Sequence, residues 1–266
     1  MKPAKLPLAY GLLFLALLLA GFTPPLARRR PTLFLIGDST VKNGKGKGDG
    51  GLWGWGNFLP AHFDTTRIRV ENDALGGTSS RTFQTKGLWE AVRTKIQPGD
   101  FVLMQFGHND DGPLADTARA RGTIKSSGDE SQEVYNPLTK QQEVVHSYGW
   151  YLRKVISETK AKGATPVVCS LIPRNVWKDG KVSRATDTYT QWAAEAARKG
   201  GAYFIDLNRL VADKYDREGE AKVGTVYFTS KDHTHTIEAG AQLNAATVAE
   251  GIRATKGLAL GKYLRK

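Results

Sequence analysis

The chain has 266 residues, which suits one domain with a sizeable core or at most two small ones. Hydrophobic residues make up 40% and charged residues 24%, which excludes a disordered or fibrous class, and no repeat of solenoid or propeller period occurs. The formal charge of +12 favours an acidic partner, although lysine and arginine can also simply solvate a surface.

The first 27 residues stand apart from the rest. Lys2 and Lys5 give a basic start, residues 8–22 form a 15-residue apolar run, and small residues follow at Ala20, Gly21 and Ala27. The run is short beside the roughly 20 residues of a membrane span. It suits the apolar segment of a secretory signal. A cleaved signal peptide is therefore expected over residues 1–27, with one domain over 28–266; an uncleaved anchor is the alternative. Cleavage removes Lys2 and Lys5, leaves a charge of +10, and allows no stable membrane insertion. The expected location is secreted or periplasmic. There, anionic lipid or a polyanionic glycan is a more available partner than nucleic acid.

Residues 32–36 are a short apolar run ended by Gly37 and read as a buried first strand. Residues 67–70 read as a second strand with a polar end at 71–74. Residues 88–96 carry apolar side chains at helical spacing, and Pro98-Gly99 stops them. Residues 101–106 read as the third strand. The long polar stretch 111–146 reads as a wall or lid of a substrate groove. An amphipathic helix is expected over 148–162, closed by Gly163, and a fourth strand over 166–172. That strand holds Cys169, the single cysteine, which reads as a small core residue and cannot form an internal disulfide. A helix through 191–194 ends at Gly200-Gly201, a fifth strand spans 202–206, and a last helix spans 239–255. Strands alternating with helices, and continuously apolar strands, predict an α/β fold whose parallel sheet is covered on both faces.

Ligands of such sheets bind beyond the carboxyl ends of the strands. Ser39, Gly77 and Asn109 follow the first, second and third strands and so converge on one edge. A serine hydroxyl needs a base to take its proton, and the base needs a carboxylate to fix its tautomer. His235 and Asp232, three residues apart, can supply both. A tetrahedral intermediate needs donors placed in advance. The Ser39 N–H, the Gly77 N–H and the Asn109 side-chain amide can serve. Singly, each of these residues has a bland role as a cap, a turn or a surface hydrogen bond. Their order and shared edge point to acyl transfer.

Gly37-Asp38-Ser39, Gly77, Gly107-His108-Asn109-Asp110 and Asp232-His233-Thr234-His235 resemble the four blocks of the SGNH (GDSL-type) hydrolases. Asn72-Asp73-Ala74, Ser79-Ser80-Arg81 and Thr40, in place of the leucine of the GDSL name, resemble the rhamnogalacturonan acetylesterase branch. The resemblance covers nearly all of residues 32–255. It implies a three-layer α/β/α sandwich with a central five-stranded parallel sheet. It implies Ser39 as nucleophile and first oxyanion donor, with Gly77 and Asn109 completing the oxyanion hole. His235 would be the base and Asp232 its orienter. No metal or other cofactor is implied. The substrate implied is acetylated galacturonic acid in the rhamnogalacturonan backbone of pectin, an anionic polymer that fits a basic enzyme.

Other signals carry less. Gly46-x-Gly48-x-x-Gly51 matches a dinucleotide fingerprint only formally, since no helix clearly opens there. His233 and His235 lack the further ligands of a metal site. Trp53 and Trp55 suit stacking on sugar rings, with core packing open for at least one. Arg81, Lys42, Arg174 and Trp150 are candidates for binding uronate or sugar, with a solvated or salt-bridged role open for each. His108 suits a structural hydrogen bond, and Asp38 and Asp110 suit holding loops through backbone N–H groups. The expected function is an exported carbohydrate O-acetylesterase, acting as a monomer on pectin. Alternatives are an esterase for other acyl esters such as acetylated xylan, a non-catalytic glycan-binding protein, and a polysaccharide acyltransferase.

Overall fold

Thr32–Gly37 (β1) sends successive side chains to opposite faces of a sheet, and both faces are buried. In a computed structural model of the chain, which describes residues 29–186 and 188–265, Leu33 and Leu35 enter one hydrophobic core while Phe34 and Ile36 enter another. Double burial is why the strand reads as an unbroken apolar run rather than an alternating one. The expected leader over residues 1–27 lies outside the described residues.

The remaining strands are Leu52–Trp53 (β2), Arg69–Asn72 (β3), Phe101–Gln105 (β4), Ser131–Asn136 (β5), Gln141–His146 (β6), Thr165–Cys169 (β7), Trp177–Lys178 (β8), Lys181–Val182 (β9), Tyr203–Ile205 (β10), Phe228–Thr229 (β11) and Asp232–Ile237 (β12). The α-helices are Ser80–Thr85 (α1), Leu88–Lys95 (α2), Tyr148–Ala161 (α3), Tyr189–Gly200 (α4), Leu207–Glu218 (α5), Glu220–Val226 (α6) and Glu238–Ala254 (α7). Five strands form the main sheet in the order β10-β7-β4-β1-β3, and every pair is parallel. One face packs on α5 and α7 through Val211, Tyr215, Ala245 and Val248. The other packs on α2, α3 and α4 through Val92, Leu152, Ile156 and Ala193. The fold is therefore the expected α/β sandwich with a five-stranded parallel sheet.

The chain leaves β1 for β3 on one side and returns to β4 on the other. That reversal opens a crevice at the carboxyl ends of these three strands. Residues 39, 77 and 109 follow those ends.

Several boundaries differ from expectation. The second strand, Arg69–Asn72, falls within the expected 67–70 and its polar end at 71–74 but is shorter at both ends, and as an edge strand its half-exposed face accepts Glu71 and Asn72. The fourth strand ends at Cys169, where Ser170 turns its hydroxyl to Asp206 and to the Asn208 N–H. Asp206 is not the end of the fifth strand; it caps α5 by accepting from the Arg209 N–H. That helix, with α1 and α6, goes beyond the elements expected. Residues 111–146 are only partly loop, since β5 and β6 pair as an antiparallel hairpin within them. Cys169 is buried in the core as expected, and burial pushes its thiol pKa up.

Arg81 overturns an expectation. It is wholly buried, at 0% exposure, and its guanidinium grips both carboxylate oxygens of Glu143 at 2.8 and 2.7 Å. It also donates to the carbonyls of Leu114 and Gly122. Four of the five guanidinium N–H groups are used inside the protein, and complete burial keeps the fifth from a sugar. Arg81 instead pins the segment between β4 and the β5–β6 hairpin. Arg81→Ala would strand the Glu143 carboxylate and both carbonyls, at an expected cost of about 3 kcal/mol in urea unfolding. A loss below roughly 1 kcal/mol, the range of a surface pair, would contradict this structural role.

Candidate active site

Ser39 rides on the turn after β1. The Asp38 carbonyl accepts from the Val41 and Lys42 N–H groups, both at 3.1 Å. The Asp38 carboxylate accepts from the Thr40 N–H at 2.9 Å and the Thr40 hydroxyl at 2.7 Å. Gln105, the last residue of β4, donates to Thr40 Oγ1 and accepts from Trp55 Nε1. Trp55 is thereby a fully buried strut and not a sugar platform. The packing also explains Gly37, where a Cβ would stand 2.5 Å from the Gln105 carbonyl oxygen. Ser39 is left partly exposed between buried neighbours.

His235 comes from the other end of the chain, on β12. This segment is a strand, paired with β2 and β11 in a small antiparallel sheet. Asp232 folds the strand back on itself by accepting from the Thr234 and His235 N–H groups at 2.8 and 2.9 Å. Its second oxygen lies 2.7 Å from His235 Nδ1, and His235 Nε2 lies 2.8 Å from Ser39 Oγ. The carboxylate makes Nδ1 the protonated nitrogen, which leaves Nε2 free to accept from the serine. Burial acts to raise the pKa of Asp232, but the backbone N–H and ring of His235 and the N–H of Thr234 hold it below the usual carboxylate range.

Gly77 follows β3 with φ +79°, a backbone conformation that favours glycine, and a Cβ there would meet no atom within 4 Å. The space beside its Cα is thus open. Asn109 is 8% exposed and donates one side-chain N–H to the Thr78 carbonyl at 2.8 Å, which ties the loop after β4 to the loop after β3. An amide nitrogen has two protons, so one remains available. Ser39, Gly77, Asn109 and His235 line one cleft of about 330 Å³.

Beneath the cleft lies a buried polar layer. His108 Nδ1 is 3.3 Å from Asp38 and its Nε2 is 3.0 Å from the Ile172 carbonyl. Burial acts to raise the Asp38 pKa, and the His108 ring and Thr40 outweigh it and lower it. Asp110 accepts from the Ser80 N–H and hydroxyl and from the Gly107 N–H. Asp38 and Asp110 thus hold loops as expected, and His108 makes structural hydrogen bonds. The Asp110 pKa is nevertheless pushed up to about 7, first by complete burial and also by the Asp38 charge.

The structure does not bring the other candidates to Ser39. Trp53 packs edge-on against Phe58 at 5.2 Å and does not line the cleft. Trp150 stacks on His146 at 3.7 Å over a separate surface depression. Lys42 donates to the Asn72 carbonyl at 3.0 Å. Arg174 donates to the His108 carbonyl and lines a second cavity, on the far side of residues 107–108. Two charged residues that the sequence pattern does not single out line the cleft: Arg119 and Arg121. Asp116 sets their loop by accepting from the N–H groups of Ala118, Arg119 and Ala120. Arg121 reaches the Gly77 carbonyl at 3.3 Å. Their signal was an Arg-x-Arg pair inside the polar stretch expected to wall the groove.

A serine, a base and an orienting carboxylate in one hydrogen-bonded line, beside converging N–H donors, have the geometry of an acyl-transfer site on an α/β sheet. The chain matches the GDSL-like Lipase/Acylhydrolase family over residues 35–243 and belongs to that family; it is a serine carboxylic-ester hydrolase. It is 31% identical to the rhamnogalacturonan acetylesterase RhgT of Bacillus subtilis, covering 87% of this chain and 93% of that one. It is 29% identical to a rhamnogalacturonan acetylesterase of Emericella nidulans, covering 88% of this chain and 89% of that one. Among solved structures, the Bacillus subtilis protein YxiM aligns with TM-score 0.68 at 26% identity, over 87% of this chain and 58% of that one. The acetylxylan esterase Axe2 of Geobacillus stearothermophilus shares the fold, with TM-score 0.55 at 18% identity over 83% and 93%.

The Asp110 carboxyl generates a pH prediction. Its folded pKa lies above the unfolded value of about 3.9, so between the two the folded state binds more protons and stability falls as pH rises. Asp110→Asn removes that titration and is expected to flatten the fall in urea-unfolding free energy between about pH 4 and 7. The same slope in variant and wild type would contradict the raised pKa.

Proposed function

We propose that this chain is an exported carbohydrate O-acetylesterase that removes acetyl groups from acetylated rhamnogalacturonan through an acyl-enzyme on Ser39. The observation that carries the chemistry is the unbroken line Asp232–His235–Ser39, at 2.7 and 2.8 Å. Ser39 Oγ attacks the acetyl carbonyl carbon while His235 Nε2 takes its proton. The carbonyl oxygen gains the charge and meets the N–H groups of Ser39 and Gly77 and the free amide N–H of Asn109. His235 then gives its proton to the departing sugar hydroxyl as the C–O bond breaks. A water oxygen then adds to the acetyl carbon as His235 Nε2 takes one of its protons; the bond from that carbon to Ser39 Oγ breaks, His235 returns the proton to Oγ, and acetic acid leaves and ionises to acetate. Asp232 stabilises the imidazolium formed in each half. The cleft is at the small end of ligand sites, which suits an acetyl group better than a long acyl chain.

The two cleft arginines support an anionic sugar as the carrier of that acetyl group. Arg119 and Arg121 form no ion pair among the described residues, so a substrate carboxylate can take up their charge. The relatives named rhamnogalacturonan acetylesterase support the same substrate. The apolar run of residues 8–22 supports export.

Acetate release from acetylated rhamnogalacturonan beside acetylated xylan tests this reading. The pectic substrate is expected to be preferred, Ser39→Ala to abolish release while the fold is retained, and Arg119→Gln to lower kcat/KM on the pectic substrate about tenfold. Preference for the neutral xylan, with no effect of Arg119→Gln, would overturn the substrate and keep the mechanism.

A further inference from the structure

The second cavity, of about 370 Å³, shares a wall with the Ser39 cleft. Gly107, His108 and Asp111 line it, while Asn109 between them lines the cleft, so a single stretch of chain separates the two. Neither Ser39 nor His235 lines the cavity, and the reacting ester therefore stays in the cleft. The cavity has apolar walls from Leu171 and Ile172. Trp192 at its side is only partly buried and meets Tyr189 edge-on at 5.0 Å. Its cations are unequal. Arg184 is spent on Asp213 and Asp216, and Lys125 on Asp111. The Arg174 guanidinium makes one hydrogen bond, to the His108 carbonyl at 3.2 Å, and no ion pair among the described residues.

A partly exposed indole, apolar walls and an unpaired guanidinium match a pyranose ring that carries a carboxylate. The C–H face of the ring is apolar and its hydrogens are drawn to the negative face of an aromatic ring. A carboxylate matches the guanidinium fork. A fatty acyl chain would leave Arg174 without a partner, and a neutral sugar would not use it.

We propose that this cavity is a subsite for a second, carboxylate-bearing sugar of the same glycan whose acetyl ester lies at Ser39. Trp192 covers one face of that sugar and Arg174 pairs with its carboxylate. The chain of the glycan then crosses the ridge at residues 108–111. The assignment rests on the carbohydrate-esterase reading above and adds to it that the enzyme reads a polymer, not one acetylated residue.

The test has two arms. In the first, a deacetylated rhamnogalacturonan oligosaccharide is titrated into the full chain while the indole N–H resonance of Trp192, assigned with Trp192→Phe, is followed. A saturable shift is expected, weakened at least tenfold in Arg174→Gln. In the second, kcat/KM is compared on acetylated rhamnogalacturonan and on an acetylated monosaccharide. Arg174→Gln is expected to lower the ratio of the two about tenfold, with the loss in KM. No shift at Trp192, or an equal loss on polymer and monosaccharide, overturns the subsite. If the wild type releases no acetate from the polymer, the proposed function fails, and the titration still decides whether the cavity binds the acidic glycan.

Discussion

One hydrogen bond, from Ser39 Oγ to His235 Nε2, joins positions 196 residues apart, and the active cleft depends on it. Its geometry is set by two separate pieces of architecture. The parallel sheet fixes Ser39 through β1 and the Gln105–Thr40–Trp55 contacts under its turn. The small antiparallel sheet fixes His235 through pairing of Thr236 with Trp53 and Ile237 with Leu52. Asp232 completes the arrangement by binding the backbone and ring of His235 with its two oxygens. The base is thus oriented by a carboxylate that is itself locked by backbone N–H groups. Such preorganisation is what a base needs to act without reorganising during the reaction.

The buried layer under the cleft does related work by different means. His108 bridges the Ser39 turn to the segment after β7 at Ile172, and Asn109 ties the Gly77 loop to its own. Asp110 fastens α1 to the Gly107 turn. Three consecutive residues therefore hold three loops in register, and only the middle one faces the cleft. The high pKa of Asp110 is the cost of packing this layer densely away from water.

How much of this was legible in the sequence follows from how local each feature is. Ser39, Gly77 and Asn109 could be placed because a parallel sheet delivers its loops to one edge whatever the details of packing. Asp232 and His235 could be paired because three residues of chain hold them together. Arg81 could not be read, since its partner Glu143 lies 62 residues on and only the folded hairpin brings it close. Trp150 looked free for sugar until His146 stacked on it. Asp206 looked like the end of a strand because it directly follows three strand residues, yet its short side chain caps the next helix. Arg119 and Arg121 became distinctive only when the Asp116 turn aimed their loop at Ser39. Charge partners and ring contacts across long separations are products of topology, and a pattern read along the chain does not contain them.

The measurement that tests the central claim most directly is mass spectrometry of the enzyme quenched with acid during turnover of an acetyl ester. The Ser39–His235–Asp232 line predicts an acetyl group on the peptide that contains Ser39, accumulating further in Asp232→Asn if deacylation slows more than attack. Steady turnover with no acetyl on that peptide, or an acetyl group on another residue that persists in Ser39→Ala, would contradict it.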